Sequence, residues 1–341
     1  MMGQKKDIKL EDIAKELGVS IVSVSNALKG KKGVGEKLRA RVLEAAGEMG
    51  YRLPQATEKR EEKSYRVGVV IAERYVKEYP SFYMDVYKQV AQTATKLGSL
   101  IVLEIVEEER ERLSSPFRLF QDVEIQGIIL IGEMNLGFIR YMKRRLRLPI
   151  VCVDFYSIEK DIDYIVTDSF KGMEALTQRL IDAGHEDIGF IGSPSATNSI
   201  MDRYMGYCKA LQTNGIEERA ERLICDREKD GYGYVIDFEL PENLPTAFAC
   251  NCDKTAYCLI DKLEARGLRV PEDISVVGFD HFYPEGERRI ELSTYENDEK
   301  AMALISVNTL MKRIAGKGKA EGVRIVEGGV VEGKTIRVRK G

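Results

Sequence analysis

From Tyr65 onward, short apolar runs alternate with longer segments of helical periodicity, and this alternation constrains the fold more than any other feature. The runs fall at 67–72, 100–106, 127–131, 150–155, 188–192, 247–250 and 274–279. A strand that is apolar throughout is covered on both faces, and a parallel return needs a crossover segment. The pattern therefore predicts parallel sheets flanked by helices. More than 270 residues of it exceed one comfortable open sheet, so two α/β lobes are expected. No low-complexity tract or short-period repeat interrupts the series.

Composition supports a globular protein. Hydrophobic residues make up 44% and charged residues 31% of 341, enough to fill a sizeable core and unlike disordered or collagen-like chains. The longest purely aliphatic run, 128–131, is far too short to span a membrane. The first residues, Met-Met-Gly-Gln-Lys-Lys-Asp, are polar and carry no apolar secretory core. Six cysteines are too sparse for a disulfide scaffold, and Cys152, Cys208, Cys225, Cys250 and Cys258 sit in apolar or strand-like stretches. A reduced, cytoplasmic protein is expected. The net charge of −3 conceals an asymmetry, because residues 1–66 hold 15 Lys+Arg against 10 Asp+Glu. A basic head on an acidic body suits a head that meets a polyanion, although five charges is also an ordinary surface excess.

Residues 1–52 read as helices only. Apolar positions recur at spacings of three and four: Ile13, Ala14, Leu17; Val24, Ala27, Leu28; Leu38, Val42, Leu43, Ala46, Met49. Gly18 breaks the first helix, Val19 plugs the corner, and Ser20 suits the N-cap of a second helix over 21–29. That helix buries Val24, Ala27 and Leu28 and presents Ile21, Val22, Asn26 and Lys29. A helix in a major groove reads base edges with its N-terminal residues. Asn pairs bidentately with adenine, whereas Ile and Val touch a thymine methyl or exclude water. Ser23 and Ser25 are placed to bond phosphates. The plainer alternative is a helical hairpin with a solvated polar face.

The run Glu-Asp-Ile-Ala-Lys-Glu-Leu-Gly-Val-Ser-Ile-Val-Ser-Val-Ser-Asn-Ala-Leu-Lys-Gly, with Met49-Gly-Tyr-Arg-Leu-Pro54, closely resembles the lactose/galactose-repressor (LacI/GalR) family. Gly184-His185 before Ile188-Gly-Phe-Ile-Gly192, and Arg269-Val-Pro-Glu-Asp-Ile-Ser-Val-Val-Gly-Phe-Asp280, extend the resemblance through the chain. It implies an all-α helix-turn-helix head (1–53) and a hinge or linker (54–64). These join an α/β effector-binding and dimerisation body (65–341) of two periplasmic-binding-protein-like lobes with parallel sheets. Three crossings near 160, 292 and 324 would divide lobe 1 (65–160 plus 292–323) from lobe 2 (161–291 plus 324–341). A homodimer, with a tetramer possible, would bind a pseudo-palindromic double-stranded DNA operator under control of a small-molecule effector.

By the same resemblance, Ile21, Val22 and Asn26 take base-reading positions and Tyr51 a backbone contact. The family's minor-groove wedge falls on Glu61, flanked by Glu58 and Glu62. A carboxylate cannot replace an apolar wedge there, so either the hinge has another register or binding proceeds without a wedge. In the cleft, the resemblance assigns Arg203 and Asp280 to the effector. Phe82, Tyr83 and Phe155 become lining aromatics, and Thr197, Ser199 and Asp253 become polar contacts. Arg forks onto paired hydroxyls, carboxylate or phosphate, and Asp280 ends a strand where open α/β sheets bind ligands. Cys252 replaces an amide the family often carries, and Arg227 stands where an aromatic often stacks. These two departures argue against a plain neutral sugar and admit a phosphorylated or acidic ligand, unless Arg227 points into solvent.

Enzyme chemistry has no footing in the sequence. It shows no dinucleotide or Walker-type glycine loop, no zinc spacing around Cys250 and Cys252, and no nucleophile–base pair. His185 reads as structural and His281 as a cleft-mouth residue. The expected function is a DNA-binding regulator, most simply a repressor, responding to a sugar, sugar phosphate or related metabolite. No cofactor, metal or membrane partner is expected. The alternative is a small-molecule binding or transport protein.

Overall fold

The computed structural model describes residues 8–28, 34–49, 51, 64–77, 81–114, 123–227, 238–282 and 290–339. The chain divides into two compact units, Met1–Lys63 and Ser64–Gly341. The proposed hinge, with Glu58, Glu61 and Glu62, lies outside the described residues, as does Lys29.

The first unit contains α1 (Leu10–Leu17), α2 (Ile21–Leu28) and α3 (Glu36–Glu48). Gly18 ends α1 with φ at +65° and returns its N–H to the Ala14 carbonyl, a left-handed cap that glycine adopts without steric cost. Ile13, Ala14, Val24, Ala27, Val42, Ala45 and Ala46 form the small core, and Val19 and Tyr51 pack against it.

The second unit is built on two sheets. The first has strand order β11-β5-β4-β3-β1-β2, all parallel. Its strands are β1 (Arg66–Ala72), β2 (Leu100–Val106), β3 (Gly127–Ile131), β4 (Ile150–Val153), β5 (Asp163–Thr167) and β11 (Val323–Val326). Side chains alternate across it. Val67, Val69 and Ile71 pack with α4 (Phe82–Lys96) and α10 (Glu299–Ile314), whereas Val70 and Ala72 join the cluster of Phe138, Ile139 and Met142 on α6 (Leu136–Leu146), which follows the short α5 (Glu108–Leu113). The second sheet, order β7-β6-β8-β9, comprises β6 (Ile188–Ile191), β7 (Leu223–Ile224), β8 (Ala247–Cys250) and β9 (Ser275–Val277). On one face it is covered by α7 (Ser169–Asp182) and α8 (Asn198–Thr213), on the other by α9 (Asp253–Ala265). An antiparallel pair, β10 (Thr294–Glu296) and β12 (Gly329–Val331), completes this lobe.

The lobe boundaries lie later than the expected 160, 292 and 324. The run 163–167 pairs with β4 and so stays in the first lobe, and the chain leaves it at Asp168, the N-cap of α7. It returns at Asn297–Asp298, between β10 and α10, and leaves again after β11, at Glu327–Gly328. Strand pairing, not hydropathy, fixes these points: 163–167 opens on a buried aspartate, which Arg313 neutralises at 2.6 Å.

Candidate functional site

The N-terminus of α2 is exposed. Ser20 Oγ accepts from the Ser23 N–H at 3.1 Å and lies 2.8 Å from Ser23 Oγ, capping α2 as its sequence implied. No acidic residue occupies the first turn, so the positive end of the helix dipole is left uncancelled. Ile21 is 46% and Val22 67% exposed, an unfavourable placement for isolated apolar side chains and a suitable one for thymine methyls. Ser25 and Asn26 are half-buried on the same short helix. Tyr51 is half-buried, with its N–H on the Ala46 carbonyl.

In the body, the carboxyl ends of the parallel strands of both lobes supply the polar residues. Arg203, on α8, is 4% exposed. Its Nη2 donates to Asp280 Oδ1 at 2.8 Å, its Nη1 to the Asn251 carbonyl at 2.6 Å and its Nε to Ser169 Oγ at 3.4 Å. The guanidinium also lies 3.9 Å from the centre of the Phe279 ring. Gly206 lets α8 approach α7 this closely, because a Cβ there would overlap the Phe170 carbonyl oxygen.

Asp280 has φ at +98° and His281 at +50°, conformations that non-glycine residues hold only when their surroundings impose them. Asp253 imposes them here. Its carboxylate accepts from the Phe282 N–H at 2.8 Å and the Thr294 hydroxyl at 2.6 Å, and its own N–H bonds the Phe279 carbonyl. Asp253 is 1% exposed, and burial pushes its carboxyl well above the usual range. It braces the Asp280 turn; both of its oxygens are engaged within the protein. His281 Nδ1 lies 3.4 Å from Glu296.

From the first lobe, Asp154 follows β4 with φ at +68° and is 5% exposed. Burial raises its carboxyl to about 7, with Arg203 opposing the shift and Asp280 adding to it. Burial likewise pushes the Tyr83 phenol up, reinforced by Asp154. Tyr83 packs between Tyr75 and Phe82, at ring-centre distances of 4.3 and 5.3 Å. Asn297, at the second crossing, donates from Nδ2 to Asp280 Oδ1 at 3.0 Å. The cleft thus brings Tyr83, Arg203 and Asp280 into one electrostatic cluster and adds Asp154 and Asn297, which sequence reasoning missed. Asp154 had a signal: an ionisable residue directly after the apolar run 150–153.

Other expected contacts have local duties. Thr197 Oγ1 caps α8 through the Ile200 N–H at 3.2 Å and lies 3.0 Å from Ser199 Oγ. Phe155, 1% exposed, belongs to the core around Phe138. It borders, with Ser199 and Asp202, a cavity of about 10 Å³, room for one water at most. Arg227 does not stand alone in solvent: it is half-buried, with Nε 3.6 Å from the buried Asp226. Cys252 bonds Thr255 Oγ1 at 3.2 Å. His185 is structural as read, held between Thr246 Oγ1 and the Arg337 carbonyl.

The lobes also meet directly. Glu133, after β3, accepts from the Asn198 N–H at 2.7 Å, and Tyr156 donates to Asp202 at 3.0 Å. Both acceptors sit beside the first turns of α8, outside the contacts inferred from sequence.

Among the described residues, no helix is long and apolar enough to cross a membrane.

Residues 9–53 match the family described as bacterial regulatory proteins, lacI family, and residues 177–336 match the periplasmic binding protein-like domain. The chain is 25% identical over 315 residues to the HTH-type transcriptional repressor PurR of Histophilus somni, covering 91% of this chain and 93% of that one. It is 26% identical over 336 residues to the HTH-type transcriptional regulator RegA of Clostridium saccharobutylicum, covering 95% and 97%. In structure it is similar to a complex of the transcriptional regulator CelR with cellobiose, with TM-score 0.66, 22% identity and coverage of 96% and 99%. The Lac repressor dimer bound to operator and the anti-inducer ONPF gives TM-score 0.63, 22% identity and coverage of 97% and 100%. One matched domain falls in each unit, a head of the lacI family of bacterial regulatory proteins over 9–53 and a periplasmic binding protein-like domain over 177–336, so the chain has the domain make-up of the lacI-type DNA-binding regulators.

Proposed function

We propose that the protein is a cytoplasmic, sequence-specific transcriptional regulator, a repressor in its simplest mode, with no catalytic role. A homodimer sets two α2 helices in successive major grooves of a pseudo-palindromic operator, about 34–36 Å apart. Ile21, Val22 and Asn26 read bases, while Ser20, Ser23, Ser25, Lys29 and Tyr51 contact the backbone. A small effector binds between the lobes against Tyr83, Arg203 and Asp280, with Phe82 behind. It regulates by favouring one lobe arrangement over the other. The exposed Ile21–Val22 pair at an uncancelled helix N-terminus carries the DNA reading. The test is selection of binding sites from a random duplex pool with purified protein. An enriched palindrome is expected, with affinity falling steeply as salt rises. Failure to enrich any sequence, with and without candidate effectors, would favour a binding or transport protein instead.

A further inference from the structure

The cleft's charges can be paired off. Arg203 spends donors of Nε, Nη1 and Nη2 on Ser169, Asn251 and Asp280, and Arg227 faces the buried Asp226. With these pairs neutralised, what remains among the described residues is acidic. Asp154 is buried at the end of β4. Glu299 is half-buried in the first turn of α10, two residues after Asn297. Burial holds both carboxyls near 7, and each also feels the other negative groups of the cleft. Asp280 acts on both, Glu133 on Asp154, and Asp85, Asp154 and Glu296 on Glu299. Asp154 and Glu299 act on each other in a poorly solvated space, and the cation nearest Asp154, Arg203, already pairs with Asp280, so a positive charge brought from outside is favoured.

Hydrogen bonding points the same way. Asn297 is 5% exposed, and its amide orientation is set by Asp280, since a flip would place two oxygens face to face. Among the described residues its Oδ1 has no hydrogen-bond partner. A buried acceptor without a donor is costly. Among the described residues, no group of three His, Cys, Asp or Glu side chains is arranged to hold a metal ion. An organic cation with several N–H or O–H donors therefore suits the site better than a metal.

We propose that the effector is a hydroxyl-bearing or similarly donor-rich organic ammonium compound, with Asp154 and Glu299 as counter-charges to its amine and Asn297 as an acceptor for it. This rests on the cleft being the effector site, and it excludes a phosphate or carboxylate as the recognised group.

The test uses sets of probes matched except in charge: glucosamine, glucose and glucose 6-phosphate; cadaverine, 1,5-pentanediol and glutarate. Each is added at millimolar concentration to the full-length protein, and the unfolding midpoint is measured. The amine of at least one set should stabilise above both of its matches. Asp154→Asn and Glu299→Gln, which keep shape and remove charge, should each weaken it about tenfold, the cost of one modest ion pair. Calorimetry at pH 7 in two buffers of different ionisation enthalpy should show proton release as the carboxyls ionise. A stronger neutral or anionic member, no stabilisation by either amine, or undiminished affinity in both variants overturns the proposal. A probe that binds but leaves operator affinity unchanged counts against the regulatory reading instead.

Discussion

Arg203 Nη2 and Asp280 Oδ1 lie 2.8 Å apart with side chains only 5% and 12% exposed, so the two residues assigned to an effector hold each other. Removing one leaves the other charged and buried, which costs about 3–5 kcal/mol. Arg203→Met should therefore lower unfolding free energy as well as effector response. The double variant Arg203→Met/Asp280→Asn should recover part of that stability. A denaturant titration showing additive losses would mean the pair is not coupled.

Gly206 is a packing requirement of the α7–α8 contact. Gly206→Ala places a methyl group on the Phe170 carbonyl oxygen, and overpacking of this kind costs about 1–3 kcal/mol. Thermal unfolding should show the loss, whereas Gly215→Ala, with open space around it but φ at +71°, should show only the smaller cost of backbone strain.

Stability should depend on pH through Asp154. Its folded-state value is about 7 against 3.8 for the free group, so the folded protein binds more protons between those values. Stability contributed by the neutral carboxyl is full below about pH 4 and is lost as pH rises towards 7 and beyond. Glu299, also raised to about 7, acts in the same direction. Asp154→Asn should flatten part of this slope and raise stability at pH 8 by on the order of 2–4 kcal/mol. Unfolding curves at pH 5 and pH 8 read the difference directly; an unchanged slope would show that Asp154 is ionised in the fold.

Glu133 sets the lobes together through the Asn198 N–H at the start of α8. A charged hydrogen bond of this kind contributes about 1.5–3 kcal/mol. Glu133→Gln should shift the body towards an open arrangement, seen as a larger radius of gyration in solution scattering. An unaltered scattering profile would assign closure to Tyr156 and Asp202.

The proposed reading gives Asn26 a base-reading role on a helix whose first turn is exposed. Asn26→Ala should weaken operator binding by about 1–3 kcal/mol and relax preference at one base pair per half-site. Equal losses on operator and random duplex would reduce Asn26 to a backbone contact.

Much of this architecture is visible in the chain itself. Spacings of three and four around Gly18, and runs such as 127–131 and 247–250, coincide with elements because each is decided by local burial. The strand 163–167 was not legible: its opening aspartate reads as polar until Arg313, 150 residues away, neutralises it at 2.6 Å. The first lobe crossing moved for that reason. The motifs around Arg203 and Asp280 single these two residues out in the sequence. Their mutual pairing, the reassignment of Asp253 to a brace and of Phe155 to the core, and the exposure of Asp154 and Asn297 to the same charges all depend on distant segments meeting. Periodicity and turn chemistry are short-range and are written in the sequence; ion pairing and desolvation depend on which segments come within a few ångströms, and only the folded chain decides that.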